Sequence, residues 1–251
     1  MIFIIIITIL AILAVVSACV VALINAKERE QQASEFRGIY GLADDTVIYY
    51  SSGVSAVSPM NPTKHEGILA KQVIDMGFFN RYSVFLDYYF RDDKGKTRQI
   101  DLLGVGKYGI FVFESKDFSG WIFGNGNQYK WTQTLGGEKY RFYNPVKQNN
   151  THIQSLKTLI GKETQYYSMV VFGANATLKA ISNIPQDTYV ISSNNMVNIL
   201  ANIKSSQPEC LTEEEIFRIC KQINEKRLIY NETIRSEHIN SIHELTANSK
   251  S

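Results

Sequence analysis

Three cysteines in 251 residues are too few for a disulfide framework. One of them, Cys19, sits in an apolar run, and the other two, Cys210 and Cys220, fit a reducing compartment. Charge of one sign is also scarce. The formal net charge is +2, which excludes a general electrostatic footprint for nucleic acid and leaves that role to a local patch. No internal repeat or low-complexity tract is present. No Lys or Arg precedes Lys27, so the basic n-region of a cleaved signal peptide is missing. What remains is ordinary: 45% hydrophobic and 20% charged residues, enough for one sizeable domain with additions.

The hydrophobicity is concentrated at one end. From Ile2 to Ile24 the only polar side chains are Thr8, Ser17 and the Cys19 thiol. As a helix this run reaches roughly 34 Å at about 1.5 Å per residue, enough to cross a bilayer core. It reads as a transmembrane anchor that meets membrane lipid through residues 2–24. The "VSAC" at Val16–Cys19 resembles a lipoprotein cleavage box, but the chain stays apolar through Ile24, where lipoproteins turn polar. Lys27 and Arg29 follow directly, and the positive-inside rule then puts the rest of the chain in the cytoplasm. The expected organisation is an anchor at 1–25, a juxtamembrane stalk and linker at 26–60, a main domain at 61–205, and a C-terminal helix with a fraying polar tail at 206–251.

Within the main domain, a helix is expected from "PTKHEGILAKQVIDMGFF", with Thr63 as N-cap, Glu66 three residues on as a capping box, and an apolar stripe at Leu69, Val73 and Met76. Strands follow at 83–90, 98–105 and 110–116, then a hairpin turning at Asn125–Asn127. A helix runs from the cap Asn144 and Pro145 to the stop Gly161 and presents Gln148 and His152 as neighbours, four residues apart. Strands at 168–173 and 188–192, a helix near 194–204, and a last helix over 212–228 with a Thr212/Glu215 capping box complete the pattern. Trp121 and Trp131 read as packing residues.

The informative stretch is "QIDLLGVGKYGIFVFESKDFSG", residues 99–120. Two runs that are apolar on both alternating faces mark buried strands, and Gly106 and Gly109 mark a tight hairpin between them. A loop of Lys107 and Tyr108 puts Asp101 opposite Glu114; a loop of Tyr108 and Gly109 puts it opposite Lys116. Either register gathers the three charged side chains on one face, whereas a three-residue loop breaks this arrangement. Two carboxylates there repel each other and lose hydration, at a cost of several kcal/mol unless compensated. A divalent cation such as Mg²⁺ compensates with one or two carboxylate ligands. A carboxylate–lysine pair at the solvent boundary of the sheet is the competing reading. Lys94, Lys96, Arg98 and Lys107 near the hairpin, and Lys139, Arg141 and Lys147 after it, offer phosphate contacts or plain solvated surface.

Taken in order, Glu66 on a first helix, "QID" at 99–101, "GIFVFESK" at 109–116, the Gly120–Trp121–Ile122 step, Trp131 and "NPVKQN" with His152 resemble the nuclease-related domain family, NERD, over about residues 61–165. His65 stands where that family commonly has glycine. NERD domains in turn resemble the PD-(D/E)xK restriction-endonuclease superfamily. The resemblance implies an α/β fold with a mixed sheet flanked by helices. It implies Asp101 and Glu114 as ligands of Mg²⁺ or Mn²⁺, Lys116 as the catalytic lysine, and Glu66 and Gln148 as auxiliary residues. It also implies a phosphodiesterase acting on nucleic acid, DNA before RNA; Lys147 and Arg141 of the basic cluster, with His152, are the expected contacts to it. A non-catalytic anchored module that binds nucleic acid or protein on the same fold is the alternative.

Overall fold

The computed structural model describes residues 48–50, 53–55, 64–80, 83–161, 163–228 and 232–247. The expected anchor at 1–25 and the expected cap Thr63 lie outside them. Among the described residues no helix is long and apolar enough to cross a membrane. Within the stretch expected as stalk, β1 (Ile48–Tyr50) and β2 (Gly53–Ser55) form a short antiparallel pair.

The apolar runs become the centre of a five-stranded sheet. Its members are β3 (Val84–Arg91), β4 (Thr97–Gly106), β5 (Gly109–Lys116), β9 (Tyr166–Phe172) and β11 (Thr188–Ser192). Their order is β11-β9-β5-β4-β3, with the β3–β4 and β4–β5 pairs antiparallel and the β5–β9 and β9–β11 pairs parallel. Both faces are covered, which is why the central strands lack a polar face. On one face α1 (Lys64–Asp75) brings Leu69 and Val73, and α3 (Met196–Ser206) brings Met196 and Leu200, onto Leu102, Phe111 and Phe113. On the other, α2 (Pro145–Ile160) and α4 (Glu213–Glu225) set Ile153, Leu156, Ile219 and Ile223 on Leu103, Val105 and Val112.

The helix ends follow the expected chemistry. The Asn144 side chain accepts from the Val146 N–H at 2.9 Å, Pro145 takes the first helical position, and Gly161 closes α2 at a φ of 107°. Thr212 and Glu215 form the reciprocal capping box of α4.

A second mixed sheet, in the order β10-β6-β7-β8, is built from β6 (Gly120–Asn125), β7 (Lys130–Leu135), β8 (Glu138–Tyr143) and β10 (Ala176–Ser182). The β6–β7 hairpin was expected; β8 and β10 were not, and β10 pairs parallel with β6 from more than 50 residues away. The inward face of this sheet supplies Ile122 and Trp131 to a third apolar cluster that includes Val146, Val170 and Phe172. Trp131 is thus a packing residue, 1% exposed, but Trp121 is not. It is 51% exposed, because neighbouring positions on a strand face opposite ways and Ile122 takes the inward one.

The expected fraying tail is instead α5 (Glu232–Ala247). Ile234 is buried, Glu237 pairs with Arg91 at 2.9 Å and accepts from the Thr97 hydroxyl at 2.7 Å, and His238 meets the Tyr89 ring edge-on. A few anchoring contacts hold a helix whose composition is largely polar.

Candidate functional site

The β4–β5 hairpin turns on Lys107 and Tyr108, so Gly106 pairs with Gly109 and Leu102 with Phe113. Gly109 has a φ of 128°, and a Cβ there would come within 2.4 Å of the Gln165 carbonyl oxygen, so this turn requires glycine. Of the two registers open to the sequence, this is the one that sets Asp101 across from Glu114. The paired residues end at Leu102 and Phe113. Just beyond, the Ser115 N–H donates to the Asp101 carboxylate at 2.7 Å.

Asp101 also sits at a slip in the sheet. Leu86 pairs with Leu102 and Tyr88 with Ile100, but the rung between them, Asp87 with Asp101, is missing from the ladder. Leu86 and Leu102 enter the core under α1, whereas Tyr88 and Ile100 join Phe85 and Leu103 in the core under α2. Strict alternation would put Tyr88 and Leu86 on one face, so both strands slip by one residue at their aspartates. Asp87 makes the slip with a φ of 48°, a conformation that an aspartate tolerates and a β-branched residue does not.

Three carboxylates therefore line adjacent strands, each tied differently. Gln99 Nε2 donates to Asp87 at 2.8 Å and to Asp101 at 3.3 Å, linking the first two. Glu114, 2% exposed, accepts from the Lys116 ammonium through Oε1. Lys116 also reaches Gln148 Oε1 at 3.4 Å. His152 Nε2 stands 3.6 Å from Glu114 Oε2, beyond a direct hydrogen bond, and Glu114 Oε2 is left without a hydrogen-bond partner. His65, on the first turn of α1, meets the Ser115 hydroxyl at 2.7 Å through Nδ1, while its buried Nε2 is unpaired.

The electrostatics separate the acids. Burial first, and then the Glu114 carboxylate, push Asp101 well above the usual carboxylate range, and Glu66 adds to the push. Burial also acts to raise Glu114, but Lys116 and His152 outweigh it and hold this carboxyl below its ordinary value. Burial works to lower Lys116, yet Glu114 and Asp101 win and raise it. Asp87 is pushed up to about 6, chiefly by burial, against the lowering effect of its Gln99 bond.

The sequence-derived site is largely assembled. Asp101, Glu114, Lys116, Gln148 and His152 converge, and Glu66, 8% exposed on α1, acts on the same charges. Lys147 lies one residue away on α2, with Nζ 5.9 Å from the centre of the Tyr129 ring. Arg141 is not among them: it projects from β8 in the other sheet and bonds Thr132 at 3.3 Å. Sequence reasoning missed Asp87, a lone acid inside the apolar run "SVFLDYYF", and also His65. The only available signal for Asp87 was an aspartate where a buried strand has no use for one.

Residues 64–173 match the profile of the nuclease-related domain. This stretch is a NERD domain. An uncharacterized protein of Bacillus anthracis is 29% identical over 149 residues, which cover 59% of this chain and 68% of that relative. No solved structure matches. The matched stretch of the NERD domain begins at α1 and ends just past β9, so it holds every residue of the cluster and all of β6 to β8, but not β10.

The donor chemistry of the NERD site fits a hard divalent cation. Mg²⁺ takes oxygen ligands, asks for one or two carboxylates, and keeps its waters; Asp101 and the orphaned Oε2 of Glu114 are such a pair. Among the described residues no group of three or more His, Cys, Asp or Glu side chains is spaced to hold a metal.

Proposed function

We propose that the NERD domain is a metal-dependent nuclease that hydrolyses phosphodiester bonds of nucleic acid, with DNA as the preferred substrate. The observation that carries this reading is Glu114: a carboxylate buried to 2% exposure, with one oxygen on Lys116 and the other, 3.6 Å from His152 Nε2, without a hydrogen-bond partner. Such a group is expensive to keep and is explained by a ligand that it meets in the working state.

Asp101 and Glu114 are the residues that hold Mg²⁺ or Mn²⁺. When bound, the ion neutralises phosphate charge and activates water. Lys116, fixed between Glu114 and Gln148, orients the attacking water or offsets charge growing on the phosphoryl oxygens. In the overall reaction the water oxygen bonds to phosphorus, the phosphorus–oxygen bond to the leaving group breaks, and the leaving oxygen takes up a proton. Glu66 and Gln148 act as auxiliary residues, and Lys147 and His152 serve as contacts to the phosphate backbone. The apolar run at 2–24 supports an accompanying proposal, a single membrane anchor with the NERD domain in the cytoplasm.

Cleavage of DNA and RNA by the purified chain, with Mg²⁺, with Mn²⁺ and with chelator, tests the enzyme. Metal-dependent cutting that is lost in Asp101→Ala and in Lys116→Ala is the expected result; cutting that survives both variants overturns it. The modest net charge of +2 is the observation behind a second reading, a binding module without turnover. Calorimetry separates the two, since a module that never takes Mg²⁺ or Mn²⁺ gives no heat with either ion.

A further inference from the structure

The four-stranded sheet has an outward face that the nuclease reading does not use. Its register settles which side chains share that face. Trp121, Thr134 and Lys139 form one rung, and Phe123, Thr132 and Arg141 the next; Lys130 continues the same parity on β7. The Arg141–Thr132 bond confirms the shared side, and the alternate positions Ile122, Trp131 and Phe142 face the apolar cluster. Lys179, at a shift in the β6–β10 register, lays its ammonium 4.8 Å from the centre of the Trp121 ring. Lys139, Arg141, Lys130 and Lys179 are all exposed. The one acid within these strands, Glu138, has the inward parity.

This face leads to the carboxylates. Lys130 pairs with Tyr143, whose ring meets Tyr129 at 5.8 Å; Lys147 stands over Tyr129; and the next residue, Gln148, accepts from Lys116. Cations and aromatic rings thus alternate from Trp121 to the Glu114–Lys116 pair.

We propose that this outward face is a binding track for single-stranded nucleic acid, which it delivers to the Glu114–Lys116 site. Cations with no carboxylate among them match a phosphate backbone, and a half-exposed Trp121 offers a stacking surface to an unstacked base. The threonines between the cations keep the face polar across both rungs, which suits phosphate contact better than insertion into lipid. The proposal rests on the nuclease reading only in taking nucleic acid as the ligand.

The test is fluorescence anisotropy of labelled oligothymidylate and oligouridylate on the full chain in detergent, with chelator present so that binding is read without cleavage. Trp121→Ala should weaken binding roughly five- to a hundredfold, the range of one lost base stack. Trp121→Phe should recover most of it, which separates the ring from a folding defect. Lys139→Ala and Arg141→Ala should each make the slope of log affinity against log salt shallower by about 0.7. Equal weakening for both oligonucleotides identifies the shared phosphate-and-base chemistry; a loss confined to one identifies that nucleic acid as the ligand. Wild-type affinity and salt slope in all of these variants overturn the track. So does weakened binding to phosphatidylglycerol vesicles with oligonucleotide binding intact, which makes the face a lipid contact. A chain that binds through these residues yet never cuts with Mg²⁺ leaves the track standing and removes the nuclease reading. A chain that cuts while the variants bind unchanged does the reverse.

Discussion

The two sheets carry their charges in opposite ways. In the five-stranded sheet Asp87 and Glu114 are buried and Asp101 and Lys116 half-buried, each tied to a named partner and each shifted from its ordinary ionisation. In the four-stranded sheet the outward cations Lys130, Lys139, Arg141 and Lys179 stand in solvent. A buried charge costs several kcal/mol and therefore demands a reason by itself. An exposed one costs almost nothing, so it speaks only through its neighbours: which face it shares, which rings lie beside it, and whether an acid is close. The first kind of site is found by energy, the second by register.

The sharpest way to test that contrast is to remove one partner of the buried pair. Lys116→Ala leaves Glu114 buried without its ammonium, and a loss of about 3–5 kcal/mol in urea-unfolding stability is expected. The double variant Glu114→Gln/Lys116→Met removes both charges and should recover much of that loss. If Lys116→Ala unfolds at the wild-type urea concentration, the pair is effectively solvated and the energetic argument for the site fails.

Asp87 gives a smaller effect with a definite sign. Its carboxyl titrates at about 6 in the folded chain, against about 3.9 in an unfolded one. The folded state thus binds the proton more tightly, and the associated stability is present in full below about pH 4 and is lost as pH rises through about 6. Two units correspond to an upper limit of about 3 kcal/mol. Asp87→Asn keeps an acceptor for Gln99 and tolerates the positive φ. It should therefore stabilise the chain above pH 6, and the gain should shrink to nearly nothing at pH 4. Unfolding curves at pH 4, 5, 6 and 7.5 check this; a gain that does not vary with pH would show that burial of the carboxylate is not its source. A residue that destabilises its own fold at neutral pH, two bonds from Asp101 through Gln99, marks a place where stability has given way to the site.

How much of this was legible in the sequence depended on how local the determining interactions were. The Lys107–Tyr108 loop was one of two two-residue loops allowed by the glycines, each of which collected Asp101, Glu114 and Lys116 on one face, with a three-residue loop also open; Asn144, Pro145, Gly161 and the Thr212/Glu215 box announced their helices within a few residues. β10 was not visible, because its partner β6 lies more than 50 residues back and no short-range pattern encodes that parallel pairing. β8 escaped for a related reason: "EKYRFY" has little apolar content on one side and gains its place from Trp131 and Phe142 packing across the rung. α5 was read as a fraying tail on composition, and single contacts such as Glu237 with Thr97 and Arg91 decided otherwise. The slip at Asp87 was hidden since one aspartate in an apolar strand does not reveal that both strands change face there. Trp121 was misjudged through its size: tryptophan is usually packed, but its parity opposite Ile122 turned it outward.

The smallest expected effect completes the contrast. Lys139→Ala and Arg141→Ala remove cations whose side chains are exposed and whose recorded partner, for Arg141, is a single neutral hydroxyl at 3.3 Å. Substitutions at such positions usually change stability by no more than about 0.5 kcal/mol. The urea midpoints of both variants should therefore match wild type within that margin, at low salt and at high salt alike, since no carboxylate on the face is there to be screened. The same two variants are the ones expected to flatten the salt dependence of oligonucleotide binding. Normal stability with altered binding would separate this face from the buried cluster, where removing a charge disturbs fold and function together. A stability loss of 2 kcal/mol or more in either variant would instead make the outward cations structural, and the distinction between the two sheets would not hold.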